Sequence, residues 1–193
     1  MKKPKGKLII FEGINAAGKT SLIKEVLKSK PNWLYCKGQG DKNTSWGRLA
    51  RRHPSTLMFL IELLIANLLT VRPALKTGKI VLHDRYFFSI MAFYTAQKWY
   101  NWLLGKIFWL FLVKPDLIFL VDVSTKQAVR RMNQEAVNPF HNLYLLKPQL
   151  IDTERAFLNK FLKQKIILET TGQSKEDLAQ KILREIGGTA NGI

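Results

Sequence analysis

Five short runs of this chain are apolar at consecutive positions, and longer helix-like runs separate them. Lys7–Glu12, Trp33–Lys37, Lys79–Asp84, Leu117–Asp122 and Lys165–Glu169 are the predicted strands. Several are continuously apolar rather than alternating, the pattern of strands buried on both faces. Strands that alternate with helices predict an α/β fold: a three-layer α/β/α sandwich around a five-stranded, mainly parallel sheet with right-handed crossovers. Two helical stretches are unusually greasy. Leu57–Val71 carries only Glu62, Asn67 and Thr70 as polar side chains, a narrow polar stripe. Trp102–Val113 is interrupted only by Gly105 and Lys106. Both are expected to be core helices buried over most of their circumference, with a subunit interface or a membrane-surface contact as the alternative. Neither supplies the roughly 20 uninterrupted apolar residues of a membrane span.

Length changes this picture little: 193 residues suit one domain with no internal repeat or linker, and Gly187–Ile193 reads as a frayed tail. Cys36 is the only cysteine, so neither an internal disulfide nor a cysteine-based zinc site is available, and a reducing, cytoplasmic location is expected. The basic N-terminus leads into only a short apolar run that ends at Glu12, without a signal-peptide pattern. The net charge of +17 attracts anions in general: nucleotides, nucleic acid or anionic lipid. Its lysines are spread along the chain, and no aromatic and basic surface for reading nucleic acid is evident.

The chemistry concentrates where the first strand ends. Gly13-Ile14-Asn15-Ala16-Ala17-Gly18-Lys19-Thr20 satisfies GxxxxGK[ST], with Leu8–Phe11 before it as strand and Ser21–Lys28 after it as helix. Glycines let the backbone wrap its N–H groups around a polyphosphate, and the helix that follows aims its positive end at the same anion. Gly13, Asn15, Ala16, Ala17, Gly18, Lys19, Thr20 and Ser21 are therefore candidate ATP ligands, with Lys19 bridging phosphates and Thr20 on Mg²⁺. Asp84 closes the apolar run Ile80–Leu82, the strand end where open sheets place ligand-binding groups, and Arg85 follows. A carboxylate there can hold Mg²⁺, and a guanidinium can clamp a phosphate bidentately. Asp122 ends another strand and is a competing metal candidate, with ordinary strand-end hydrogen bonding as its simpler role.

At these residues the chain resembles the thymidylate kinase family of nucleoside monophosphate kinases. The likeness runs through Phe11-Glu12-Gly13, Asp84-Arg85-Tyr86 with Ser89 and Ala92, Pro115-Asp116-Leu117 before a strand ending in Asp122, and Arg130-Arg131 before a lid-like stretch at about 132–147. The resemblance implies the P-loop NTPase fold, transfer of the ATP γ-phosphoryl group to a nucleotide acceptor, most plainly dTMP to dTDP, and a homodimer formed through apolar helices. It implies Lys19, Asp84, Arg85 and Arg131 as catalytic residues and Arg130 as a further nucleotide contact. On the acceptor side it points to Glu12, Lys37, Phe59 and Arg85, with Phe59 stacking on the base, and Arg48 or Arg51 is the candidate for a second phosphate contact, a solvated basic helix face being the alternative.

The departures concern the acceptor and the lid. Asn15 stands where the family commonly has an acid, Lys37 where it has an arginine, and Leu63 where it has a base-reading arginine. Phe87, Met91 and Tyr94 replace polar residues, so a greasier acceptor pocket is expected. Phe59, Glu62, Leu63 and Ala66 share a helix face, which would aim Glu62 into the pocket to read an acceptor donor group; a partly solvated carboxylate is the alternative. Residues 132–146 hold no lysine or arginine, leaving Arg130 or Arg131 as the candidate charge for the transferring group.

Overall fold

The computed structural model describes residues 6–95, 100–134 and 139–188. The five predicted strands form as β1 (Lys7–Glu12), β2 (Leu34–Lys37), β3 (Ile80–Asp84), β4 (Leu117–Asp122) and β5 (Ile166–Glu169). They make one sheet in the order β2-β3-β1-β4-β5, parallel throughout. The helices are α1 (Lys19–Ser29), α2 (Ser45–Arg52), α3 (Thr56–Ala66), α4 (Arg72–Lys76), α5 (Phe87–Thr95), α6 (Tyr100–Phe111), α7 (Thr125–Gln134), α8 (Pro139–Leu146), α9 (Gln149–Phe161) and α10 (Lys175–Gly188).

Continuous apolarity in β1 has the anticipated cause. Ile9 and Phe11 pack with Leu22, Ile23, Val26, Leu178 and Ile182 on one side of the sheet, and Leu8 and Ile10 pack with Leu60, Leu63, Val81 and Tyr86 on the other. Because β1 lies between β3 and β4, the chain reverses its direction of progress across the sheet there. The crevice at the carboxyl ends of these strands is the ligand-binding place of such sheets.

The greasy helices depart from expectation. Residues 56–76 form a continuous helical rod of α3, a π-helical segment Asn67–Val71 and α4. Two of its polar residues face inward, Glu62 and Asn67 being buried, while Leu57, Leu68 and Leu69 are exposed, Leu69 at 72 %. Asn67 is fully enclosed because it has partners: its Nδ2 donates to Leu63 O (3.0 Å), and its Oδ1 accepts from Tyr86 Oη (2.7 Å) and Val113 N (3.1 Å). The rod has the length and composition of a membrane span, yet Phe59, Leu60, Leu63 and Val71 belong to the core of the sheet's α3 side. In α6 the expectation of a helix buried nearly all round is corrected. Trp102, Leu103, Ile107, Leu110 and Phe111 are exposed, so only the other side of that helix is core. The predicted tail begins later than expected, since Gly187 and Gly188 complete α10; the rest of it lies outside the described residues.

Candidate functional site

At the carboxyl ends of β1, β2 and β3 lies a cleft of about 280 Å³ whose wall includes Asn15, Ala16, Gly18, Lys19, Thr20 and Ser21. The turn into α1 needs glycine where it leaves β1: Gly13 sits at φ 140°, and a Cβ there would meet Val121 O at 2.0 Å. Lys19 folds back over the loop, its Nζ donating to Gly13 O (2.9 Å) and Ile14 O (2.6 Å). Burial, then the neighbouring Arg85 charge, lowers its pKa to about 7. The Thr20 hydroxyl donates to Asp84 Oδ2 at 2.5 Å, with the Tyr35 hydroxyl 3.3 Å from the same oxygen. Strand pairing therefore brings Thr20 and Asp84, sixty-four residues apart, to one point.

Arg85, Lys37, Arg51 and Phe59 line the same cleft. The Arg85 guanidinium donates to Asn15 Oδ1 (2.5 Å) and to Glu154 Oε1 (3.4 Å), and Glu154 Oε2 accepts from the Tyr144 hydroxyl (2.9 Å). Glu154 is buried, and it gives Arg85 the negative neighbour that Asn15 cannot be. Glu154, Tyr144, Gln39 and Phe93 line the cleft without having been singled out in the sequence, as does Ser89 of the Asp84-Arg85-Tyr86 likeness. Nothing local marks Tyr144 and Glu154, since α8 and α9 reach the site only by packing.

Other expectations need correction. Glu12 does not line the cleft. Its buried carboxylate accepts from Tyr86 N and Phe88 N (3.1 Å each) and from the Ser89 hydroxyl, so it caps the start of α5; burial raises its pKa against those bonds. Glu62 neither reads the cleft nor lies in solvent. Its Oε2 accepts from Gly40 N (2.7 Å) and its Oε1 from Asp41 N (2.9 Å), which ties down the loop after β2. Burial pushes the Glu62 pKa up. Leu63 is 1 % exposed in the core, and Phe87 and Met91 turn toward α6, where Phe87 meets Trp109 at 4.8 Å and Met91 abuts Gly105. The anticipated greasiness thus falls outside the cleft as far as Phe87 and Met91 are concerned; the side chain of Tyr94 lies outside the described residues.

The two arginines of α7 separate. Arg131 Nη1 donates to Ala16 O and Thr170 Oγ1 (3.1 Å each), bracing the loop between β1 and α1, and Thr170 Oγ1 donates to Ala17 O (3.0 Å). Arg130 is exposed and stands outside the cleft wall. Asp122 takes its simpler role: Arg155 Nε lies 3.1 Å from both its oxygens, and Val123 N donates to it. Of the lid-like stretch, residues 135–138 lie outside the described residues, and α8 brings Tyr144 to the cleft.

The profile of the thymidylate kinase family matches residues 11–182. The chain is 27 % identical over 187 residues to the "Probable thymidylate kinase" of Thermococcus onnurineus, covering 82 % of this chain and 87 % of that one. It is 32 % identical over 162 residues to the protein of the same name from Archaeoglobus fulgidus, covering 77 % and 82 %. The solved thymidylate kinase of Candida albicans superposes with a TM-score of 0.77 over 97 % of this chain and 93 % of that one, at 18 % identity, a likeness of fold.

Proposed function

The chain belongs to the thymidylate kinase family, and we propose that it transfers the γ-phosphoryl group of ATP to the phosphate of thymidine monophosphate. The observation that carries this reading is the meeting of Lys19, Thr20, Asp84 and Arg85 in one cleft at the switch point of the sheet.

The residues fit ATP with Mg²⁺. Thr20 Oγ1 and Asp84 Oδ2 are adjacent hard oxygen donors, and Mg²⁺ ordinarily takes one or two protein oxygens beside the phosphates. When bound, the ion supplies charge neutralisation at the β- and γ-phosphate oxygens. Lys19 exchanges its two loop carbonyls for phosphate oxygens, and the backbone N–H groups from Gly13 to Ser21 hold the polyphosphate. Ammonium bound to phosphate regains a full charge partner, which favours the protonated form that burial disfavours in the empty loop. Arg131 acts through Ala16 O and Thr170, fixing the shape of the loop, and Arg130 has no contact with the nucleotide in this reading.

On the acceptor side, Phe59 offers its ring to the base, while Arg85, Lys37 and Arg51 face the acceptor phosphate. Glu154 and Asn15 aim the Arg85 fork, and Glu62 holds the backbone of Gly40 and Asp41, next to the Lys37–Gln39 wall. An acceptor oxygen held in line with the γ-phosphorus attacks directly, without a covalent enzyme intermediate, and orientation with charge neutralisation supplies the rate.

The exposed apolar side chains of residues 56–76 and of α6 are the surface of a homodimer in this proposal, since a face of this kind buries itself against a partner. The single buried thiol of Cys36 suits the reducing cytoplasm in which we place the enzyme. Lys19→Ala tests the catalytic reading: with the fold intact by circular dichroism, transfer to thymidine monophosphate is lost, whereas unchanged transfer refutes the assignment.

A further inference from the structure

Arg85 occupies backbone that a side chain with a Cβ disfavours, at φ 63°. Such a conformation persists where its surroundings over-determine it. Arg85 N donates to Phe11 O (3.0 Å), and Asp84 O accepts from Gly38 N (2.9 Å), so the Asp84–Arg85 peptide is tied on both of its edges, to β1 and to the chain leaving β2. The remaining group, Arg85 O, lies 2.7 Å from Nδ1 of His83. Gly38 closes over this contact: a Cβ there would come within 2.4 Å of Arg85 O and 3.2 Å of the His83 ring.

We propose that His83 is a positioning residue that locks the backbone of Arg85, and with it the direction of the guanidinium in the cleft. The inference rests on the reading of Arg85 as the acceptor-phosphate ligand. His83 is fully buried, its ring edge-on to Tyr86 with centroids 4.9 Å apart. A carbonyl only accepts, so Nδ1 must carry the proton that forms the bond. In the neutral ring Nε2 is then a bare acceptor, and among the described residues it is the sole buried side-chain nitrogen or oxygen with no partner. An apolar side chain would fill this place without leaving an orphaned polar atom. What histidine adds is the Nδ1 donor, and its one target is the carbonyl of Arg85.

Two measurements test this. Long-range ¹H–¹⁵N correlation on labelled protein at neutral pH should show His83 protonated at Nδ1 and bare at Nε2; the opposite tautomer overturns the proposal. In kinetics, His83→Asn keeps an amide donor near the Nδ1 position and should leave the acceptor KM within about threefold of the parent. His83→Gln moves the donor outward and His83→Leu removes it, and each should raise the acceptor KM about tenfold while the ATP KM stays within about twofold. Equal behaviour of Asn and Gln, or a parallel rise in both KM values, overturns the proposal; if the leucine variant does not fold, the Asn and Gln pair decides. Should the parent protein transfer to no acceptor, the catalytic reading falls on its own. The same Asn and Gln contrast is then read in the dissociation constant for thymidine monophosphate by calorimetry, and equal constants refute the lock.

Discussion

Glu62→Gln places one amide nitrogen where a carboxylate oxygen now accepts from a backbone N–H. Glu62 accepts at 2.7 Å from Gly40 N and at 2.9 Å from Asp41 N, in a buried setting where neither donor finds an easy substitute. Glutamine keeps one acceptor oxygen, so one charge-assisted bond is lost and a donor is set against a donor. Bonds of this kind contribute roughly 1.5–3 kcal/mol, so a loss of about 2–3 kcal/mol is expected. In a chain of this length each kcal/mol moves Tm by roughly 2–4 °C, which predicts a fall of roughly 4–12 °C. The loosened loop holds Gly38 and Gln39 in the cleft wall, with Arg51 Nη1 3.4 Å from Gly40 O. Acceptor KM should therefore rise, while ATP KM, set at the other side of the cleft, stays put. Urea denaturation gives the stability and initial rates give the two KM values. Full stability with a changed preference among acceptor bases would refute the structural role and restore Glu62 as a reader of the acceptor.

Arg131→Ala removes the brace between Ala16 O and Thr170 and should raise the ATP KM about tenfold with little change in acceptor KM, measured by varying each substrate in turn. Asp84→Asn should lower kcat about 100-fold and raise the Mg²⁺ concentration needed for half activity, whereas Asp122→Asn, which disturbs the Arg155 pair and the bond from Val123 N, should leave the Mg²⁺ dependence unchanged and cost about 1 kcal/mol of stability. Light scattering should give twice the 22.2 kDa chain mass for the parent and the monomer mass for Leu69→Arg with Leu110→Glu; a parent that runs as a monomer removes the dimer.

The strands were legible because each is short, contiguous and bounded by charge, and their order in the chain alternates with helices. Gly13 to Thr20 was legible for the same reason, as was Asp84, since a carboxylate at the end of an apolar strand needs no distant information. Glu62 was misplaced because periodicity says which face a carboxylate occupies but not which backbone N–H groups wait there, and the resemblance that put Glu12 on the acceptor side says nothing of the N–H groups at the start of α5. Glu154 and Tyr144 gave no signal at all, their place in the cleft depending on how α8 and α9 pack. The rod of residues 56–76 inverts the usual pattern. Asn67 is held inside by three hydrogen bonds at the π-helical segment, and Leu68 and Leu69 are thereby turned outward, where a chain pattern reads only "apolar, hence buried".

The most direct measurement is a coupled ADP-release assay with ATP and Mg²⁺ against thymidine monophosphate, the other nucleoside monophosphates and free nucleosides, with chromatographic detection of the phosphorylated product. Preferential formation of thymidine diphosphate, abolished by Lys19→Ala, is the predicted result. ADP release without a phosphorylated acceptor, or faster conversion of a different acceptor, would contradict it.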